Sequence, residues 1–153
     1  LLWKIIAIDG DRYFNVYVPL LGGEDAITAY AHSRHPEVAA CLGANSTVAT
    51  LSAFTDGFYR FTEQNGAIVM ADLRMGLTPL YAFRFVLAEH GLEGLRPVPP
   101  QPVNGGREAD GDRAWLKAGI LGLKATRPAE STALIDPSAV QTQEAAPSGA
   151  ISC

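Results

Sequence analysis

Charge is scarce in this chain. Asp, Glu, Lys and Arg make up 18% of its 153 residues and leave a formal net charge of −4. That balance gives no general attraction to nucleic acid or to an anionic lipid surface. So little charge also implies a surface partly covered by something else. Cysteine is nearly absent. Cys41 and Cys153 stand far apart, one of them at the last position, which excludes a dense disulfide framework and a metal knuckle. They read as a small apolar residue and a tail residue in a reducing compartment. There is no long apolar run either. The longest uncharged stretch, Val38–Thr55, is interrupted by Gly, Asn, Ser and Thr positions and is no membrane span. Aromatic residues are missing beyond Phe85 except for Trp115. The rest lie between Trp3 and Phe85, which places the expected core in roughly the first 90 residues. No charged leader precedes the strand-like run that opens at Leu1, so the chain reads as the end piece of a longer protein.

What is present points to antiparallel hairpins. Leu2–Ile8 and Tyr13–Val18 are rich in β-formers and are separated by Asp9-Gly10-Asp11, a turn signal. Phe58–Glu63 and Ala67–Asp72 flank Asn65-Gly66, the strongest two-residue hairpin signal. A short strand fits Ala26–Ala31, and Tyr81–Leu87 reads as a last strand with Tyr81, Phe83 and Phe85 on one face. Glu37–Leu42 fits a short helix behind Pro36. A second helix holds Val48, Leu51 and Phe54, with Asn45 or Ser46 as its cap. The expected class is therefore α+β: about five antiparallel strands from two hairpins plus a last strand, one or two short helices, and a disordered C-terminal tail. The expected domain is 1–90. A Pro/Gly-rich linker at 91–111, a short helix at 112–124 and a disordered tail at 125–153 follow.

Residues that could carry chemistry are few. His32 and His35 have metal-pair spacing, but Pro36 argues for a solvated loop, and a hydrolytic metal site needs about three protein ligands. Asp9 and Asp11 could suit Mg²⁺ or Ca²⁺, yet the turn itself calls for Asp-Gly. Asp72 and Arg74 lie two apart at a strand end, before Gly76, where they can form an ion pair. Arg60 and Arg84 on neighbouring strands can join them. That group reads first as a structural salt bridge and second as a contact surface or anion site. No nucleophile elbow, phosphate loop or activated cysteine occurs.

Several segments, taken in order, resemble a known family. They are Leu2-Trp3-Lys4-Ile5-Ile6-Ala7 with its Asp-Gly-Asp-x-Tyr turn, Phe54-Thr55-Asp56-Gly57-Phe58-Tyr59, Asp72-Leu73-Arg74-Met75-Gly76 and Tyr81-Ala82-Phe83-Arg84-Phe85. Over roughly Leu1 to Glu89 the chain resembles the carboxy-terminal part of the bacterial LexA-regulated, inner-membrane-associated metal-dependent hydrolases. The resemblance implies a parent protein whose amino-terminal portion carries membrane helices and a histidine/aspartate set for a divalent metal. No family metal ligand maps onto this chain, so no cofactor is expected within it.

The expected function is that of a soluble, cytoplasmic domain at the inner membrane. It would support or cap the catalytic part, with the membrane-embedded portion as its partner and an unspecified small-molecule substrate. The alternative is a non-enzymatic module that binds a protein or membrane surface through its aromatic sheet face. A third reading is a small-anion site around Asp72, Arg74 and Arg84.

Overall fold

The computed structural model describes residues 1–43, 46–106, 108–141 and 150–153. Strands β1 (Leu2–Asp9), β2 (Arg12–Pro19) and β3 (Thr28–Ser33) precede helices α1 (Glu37–Cys41) and α2 (Ser46–Phe54). Then follow β4 (Tyr59–Gln64), β5 (Ala67–Asp72), the short β6 (Gly76–Leu77) and β7 (Leu80–Tyr81), β8 (Arg84–Gly91) and β9 (Gly94–Pro102). Helix α3 (Asp112–Ile120) and β10 (Leu134–Ile135) come last, with 3₁₀ turns at Glu24–Ala26, Pro128–Ala133 and Pro137–Gln141. The class is α+β, and the strand pairs are antiparallel. The chain divides into two compact units, Leu1–His32 with Glu108–Ala146 and Ser33–Arg107 with Pro147–Cys153. This division differs from the single domain expected over 1–90.

In the first unit the strand order is β1-β2-β3-β10. The β1/β2 hairpin keeps one register from Leu2↔Pro19 to Asp9↔Arg12. Gly10 takes a left-handed φ of 55° at its tip, a conformation glycine adopts without steric penalty. One face of β2 points Tyr13, Asn15 and Tyr17 inward, all fully or almost fully buried. Trp115 of α3 packs edge-on against Tyr17, ring centroids 4.8 Å apart.

In the second unit the order is β4-β5-β8-β9, with β6 and β7 as a separate two-stranded ribbon. Asn65 and Gly66 both adopt positive φ, 52° and 76°, as a tight hairpin requires. Val38 and Leu42 from the α1 segment and Val48 from α2 pack against Phe61, Ile68, Met70 and Leu87 of the sheet to make the core. Burying each large side chain of this set contributes about 1.5–3 kcal/mol. Ser46 opens α2; Asn45, the other expected cap, lies outside the described residues.

Several expectations change. Tyr81 is not on the last strand. It pairs with Gly76 in the β6/β7 ribbon, and β8 begins at Arg84. The expected linker contains β9, whose Pro97, Pro99, Pro100 and Pro102 are tolerated because it is an edge strand needing few ladder N–H groups. The expected tail from Ala125 begins with ordered elements: the Pro128–Ala133 turn, and β10 pairing Leu134↔Tyr30 and Ile135↔Ala29. Residues 142–149 lie outside the described residues. Cys41 and Cys153 are not unrelated thiols but a disulfide, with Cα atoms 5.5 Å apart. The last residues return to the second unit: Ile151 packs on its core, and Leu95 N–H donates to Cys153 O at 3.0 Å. Such a long-range return leaves no trace in sequence spacing.

Candidate functional site

In the second unit, three distant segments meet around one pocket. The last turn of α2 and its exit bring Leu51, Phe54 and Thr55, the end of β5 brings Met70 and Asp72, and the entry to β8 brings Phe83 and Phe85. The pocket has a volume of about 310 Å³ and is walled almost entirely by apolar atoms. Its one charged wall residue, Asp72, is buried. Asp72 Oδ1 accepts from the Arg74 backbone N–H at 2.9 Å and from Arg74 Nε at 3.1 Å, and Oδ2 accepts from Arg74 Nη2 at 2.8 Å. The backbone bond is the side-chain-mediated turn that Asp favours; the other two form a charge-assisted fork.

Arg74 Nη2 also donates to Phe54 O at 2.9 Å, and its guanidinium carbon lies 5.7 Å from the Phe54 ring centroid. A cation at a helix C-terminus meets carbonyls that have no partner within the helix. Arg74 therefore latches the end of α2 to the end of β5 and holds the pocket's two sides together. The hydrogen bond to Asp72 is the main reason its affinity for its proton is raised. With that carboxylate already engaged, the pocket suits an uncharged apolar group such as an aromatic ring or a short acyl chain. Phe83 is 43% exposed at the rim, alongside exposed Phe54.

The other two arginines expected at this group lie elsewhere. Arg60 and Arg84 are both in register with Ala71, one on each side of it. Residues directly opposite in a sheet share a face, and neighbours along a strand alternate. Arg60, Ala71 and Arg84 therefore occupy the face opposite to Asp72. The structure joins Asp72 with Arg74 and separates them from Arg60 and Arg84. Another buried arginine went unremarked in the sequence. Arg34 donates from Nε to Tyr59 O at 3.1 Å and from Nη2 to Gly57 O at 3.0 Å, fastening the approach to β4.

The first unit holds a buried polar cluster that sequence reasoning missed. Glu130 Oε1 accepts from Asn15 Nδ2 at 2.6 Å and lies 2.7 Å from His32 Nε2. Its Oε2 accepts from Tyr17 OH at 2.8 Å and from Arg127 Nη1 at 3.0 Å. Arg127 then forks onto Asp112, and its backbone N–H donates to Tyr30 OH at 2.8 Å. Burial alone would raise the Glu130 pKa. The hydrogen bonds from His32, Asn15 and Tyr17 outweigh it and bring the carboxyl down to about 2. Burial likewise works against the Arg127 cation, and its bonds to Asp112 and Glu130 reverse the sign. Each Glu130 oxygen already has two partners, so the carboxylate works as the centre of an internal clamp.

His32, one of the two histidines weighed as a metal pair, belongs to this clamp and stacks on Tyr13 with centroids 4.9 Å apart. His35 lies 3.0 Å from Glu37 at the start of α1. Among the described residues no group of three or more His, Cys, Asp or Glu is arranged to hold a metal ion. No helix among them is long and apolar enough to cross a membrane. The only sequence trace of the clamp is Arg127-Pro128-Ala129-Glu130, where a proline opens a helical turn and sets Glu three residues after Arg.

Comparison with protein-family models, with characterised proteins and with solved structures finds no match.

Proposed function

We propose that this chain is the soluble domain of a membrane-bound metal-dependent hydrolase. In this reading it supports or caps a catalytic part supplied by the membrane-embedded amino-terminal portion of the same protein. The observation that carries the reading is the convergence at the pocket. Phe54 and Thr55, Asp72, and Phe83 and Phe85 come from three of the segments that carry the family resemblance, and they line one cavity. A pocket with apolar walls and an already paired carboxylate can bind and orient an uncharged part of a substrate while the reacting atoms lie elsewhere. The disulfide fits the oxidising side of that membrane better than the reducing compartment expected from the sequence.

The test compares hydrolysis of chromogenic phosphate and carboxylate esters, with Mn²⁺ or Zn²⁺, by this chain and by a longer protein that includes the upstream portion. The longer protein is expected to turn over in a metal-dependent way and this chain not at all. Chelator-sensitive turnover by the chain alone would overturn the assignment.

A second reading, a module that binds a protein or membrane surface, is favoured by one observation in the first unit. Trp3 and Ile5 lie on one face of the edge strand β1 and are 57% and 50% exposed. The aromatic face expected for this role is not available, because Tyr81 is buried and Phe85 packs on the core. Co-sedimentation with lipid vesicles that disappears in the Trp3→Ser, Ile5→Ser double variant is the expected result; sedimentation unchanged by the double substitution would exclude this surface.

A further inference from the structure

We infer that residues 150–153 form a redox-controlled strap on the second unit, held at the β9 edge by the Cys41–Cys153 bond and released when a dithiol reduces that bond. Three observations describe a seat built for the strap. Leu95 N–H donates to Cys153 O at 3.0 Å. Ile151 and Leu95 both pack, partly buried, against the core cluster that holds Val38 and Leu42 of the α1 segment. Gly94 takes a φ of 114°, and a Cβ built on it would collide with the Cys153 carbonyl oxygen. Glycine at that position accepts the left-handed backbone and leaves room for the strap to lie close.

The seat does not hold the strap by itself. Ser152 and Cys153 are exposed and Ile151 is half-buried. Among the described residues, the bond to Leu95 is the one hydrogen bond that reaches 150–153. One backbone hydrogen bond and one half-buried isoleucine contribute less than the conformational entropy lost on ordering the segment. The covalent tie to the end of α1 removes most of that cost, because it keeps the strap beside its seat at a high effective concentration. The redox state of one bond therefore decides whether the seat is filled.

The bond is also placed for exchange. Cys153 is exposed and Cys41 only half-buried, so an attacking thiolate meets them at the surface without unfolding the sheet. A thiolate of the dithiol attacks Cys153 Sγ, forming a mixed disulfide and expelling Cys41 as a thiolate that takes up a proton. The second thiolate of the dithiol then displaces Cys153, which is protonated in turn. Two electrons pass to the chain, and the dithiol leaves as its own disulfide. The strap is then free to depart, returning the Leu95 N–H to the sheet edge and uncovering the place of Ile151. The inference does not rest on the hydrolase reading.

The test treats the intact folded chain with dithiothreitol, without denaturant, and follows amide hydrogen exchange before and after. The bond is expected to open under these native conditions. Exchange at Leu95 should then rise at least about tenfold, while Val69 and Leu87, buried on the inner strands β5 and β8, keep their protection. Oxidised glutathione added after removal of the reductant should restore the protection of Leu95. Cys153→Ser and Cys41→Ser should each show the fast Leu95 exchange whether or not reductant is present. The two redox states of the unmodified chain supply the comparison even if a variant does not fold. Three results would overturn the strap: reduction that proceeds only in denaturant, Leu95 protection unchanged in the reduced chain, or loss of protection at Val69 and Leu87 together with Leu95, which would make the bond a staple of the whole unit.

Discussion

Arg127 donates from Nε and Nη2 to the two carboxylate oxygens of Asp112, at 2.7 and 2.8 Å, with both residues in the interior of the first unit. The pair joins the start of α3 to the turn at Pro128–Ala133, and Glu130 extends it to β2 and β3. A stretch with few apolar residues is thereby held by charge.

Removing Arg127 strands two buried carboxylates. Arg127→Met is expected to destabilise the first unit by about 3–5 kcal/mol, the usual consequence of breaking a buried ion pair from one side. Denaturant unfolding followed by Trp115 fluorescence measures it, because the indole lies against the guanidinium, 5.6 Å from ring centroid to guanidinium carbon. A loss below about 1 kcal/mol would show that the clamp is incidental.

Glu130 gives the first unit an acid limit. Its folded-state pKa of about 2 lies below the ordinary 4.5. A depressed carboxyl pKa stabilises above the unfolded value and ceases to do so as pH falls toward the folded one. Stability should therefore hold above about pH 4.5 and decline by about 3 kcal/mol on the way to pH 2. Unfolding free energy measured across that range, in the chain and in Glu130→Gln, checks this. The variant should lose much of the slope, and an unchanged slope would assign the acid transition to other groups.

The Arg74 latch should be visible in local motion more than in global stability. With Arg74→Ala, amide exchange at Leu51–Phe54 is expected to speed up while the core strand β5 keeps its protection. Phe83→Ala should weaken the binding of an apolar fluorescent probe about tenfold, because that ring walls the pocket and is otherwise solvent-exposed. Probe binding indifferent to Phe83 would place the apolar site elsewhere.

The Cys41–Cys153 bond closes 112 residues of sequence separation. On a chain-entropy argument its reduction should destabilise the second unit by about 4 kcal/mol. Thiol titration of the denatured, unreduced chain should find no free thiol, and Cys153→Ser should match the reduced protein. Two free thiols would refute the bond.

Local signals carried much of the architecture. Asp9-Gly10-Asp11 and Asn65-Gly66 encode their turns through backbone conformations that few residues tolerate, and both hairpins form at those places. What escaped depends on partners distant in sequence. Pro97 to Pro102 read as a linker because proline opposes strands in general, and only membership of an edge makes it acceptable. Arg127 and Glu130 read as tail residues because the partners that neutralise them, Asp112 and the side chains of β2 and β3, are remote along the chain. Asp72 and Arg74 were legible as a pair from their spacing. The face that Arg60 and Arg84 occupy was not, since it follows from a register set across three strands.

The proline-rich strand has a consequence for how this protein behaves in company. β9 is the outermost strand of its sheet, and an open strand edge invites another chain to add itself and grow into a fibre. Here the edge offers little to add to. Leu95 N–H is taken by Cys153 O, and Pro97, two residues on, has no N–H at all, nor do Pro99, Pro100 and Pro102. The stretch that resembles a spacer thus acts as a terminator, capping the ladder so that the sheet stops at its own last strand.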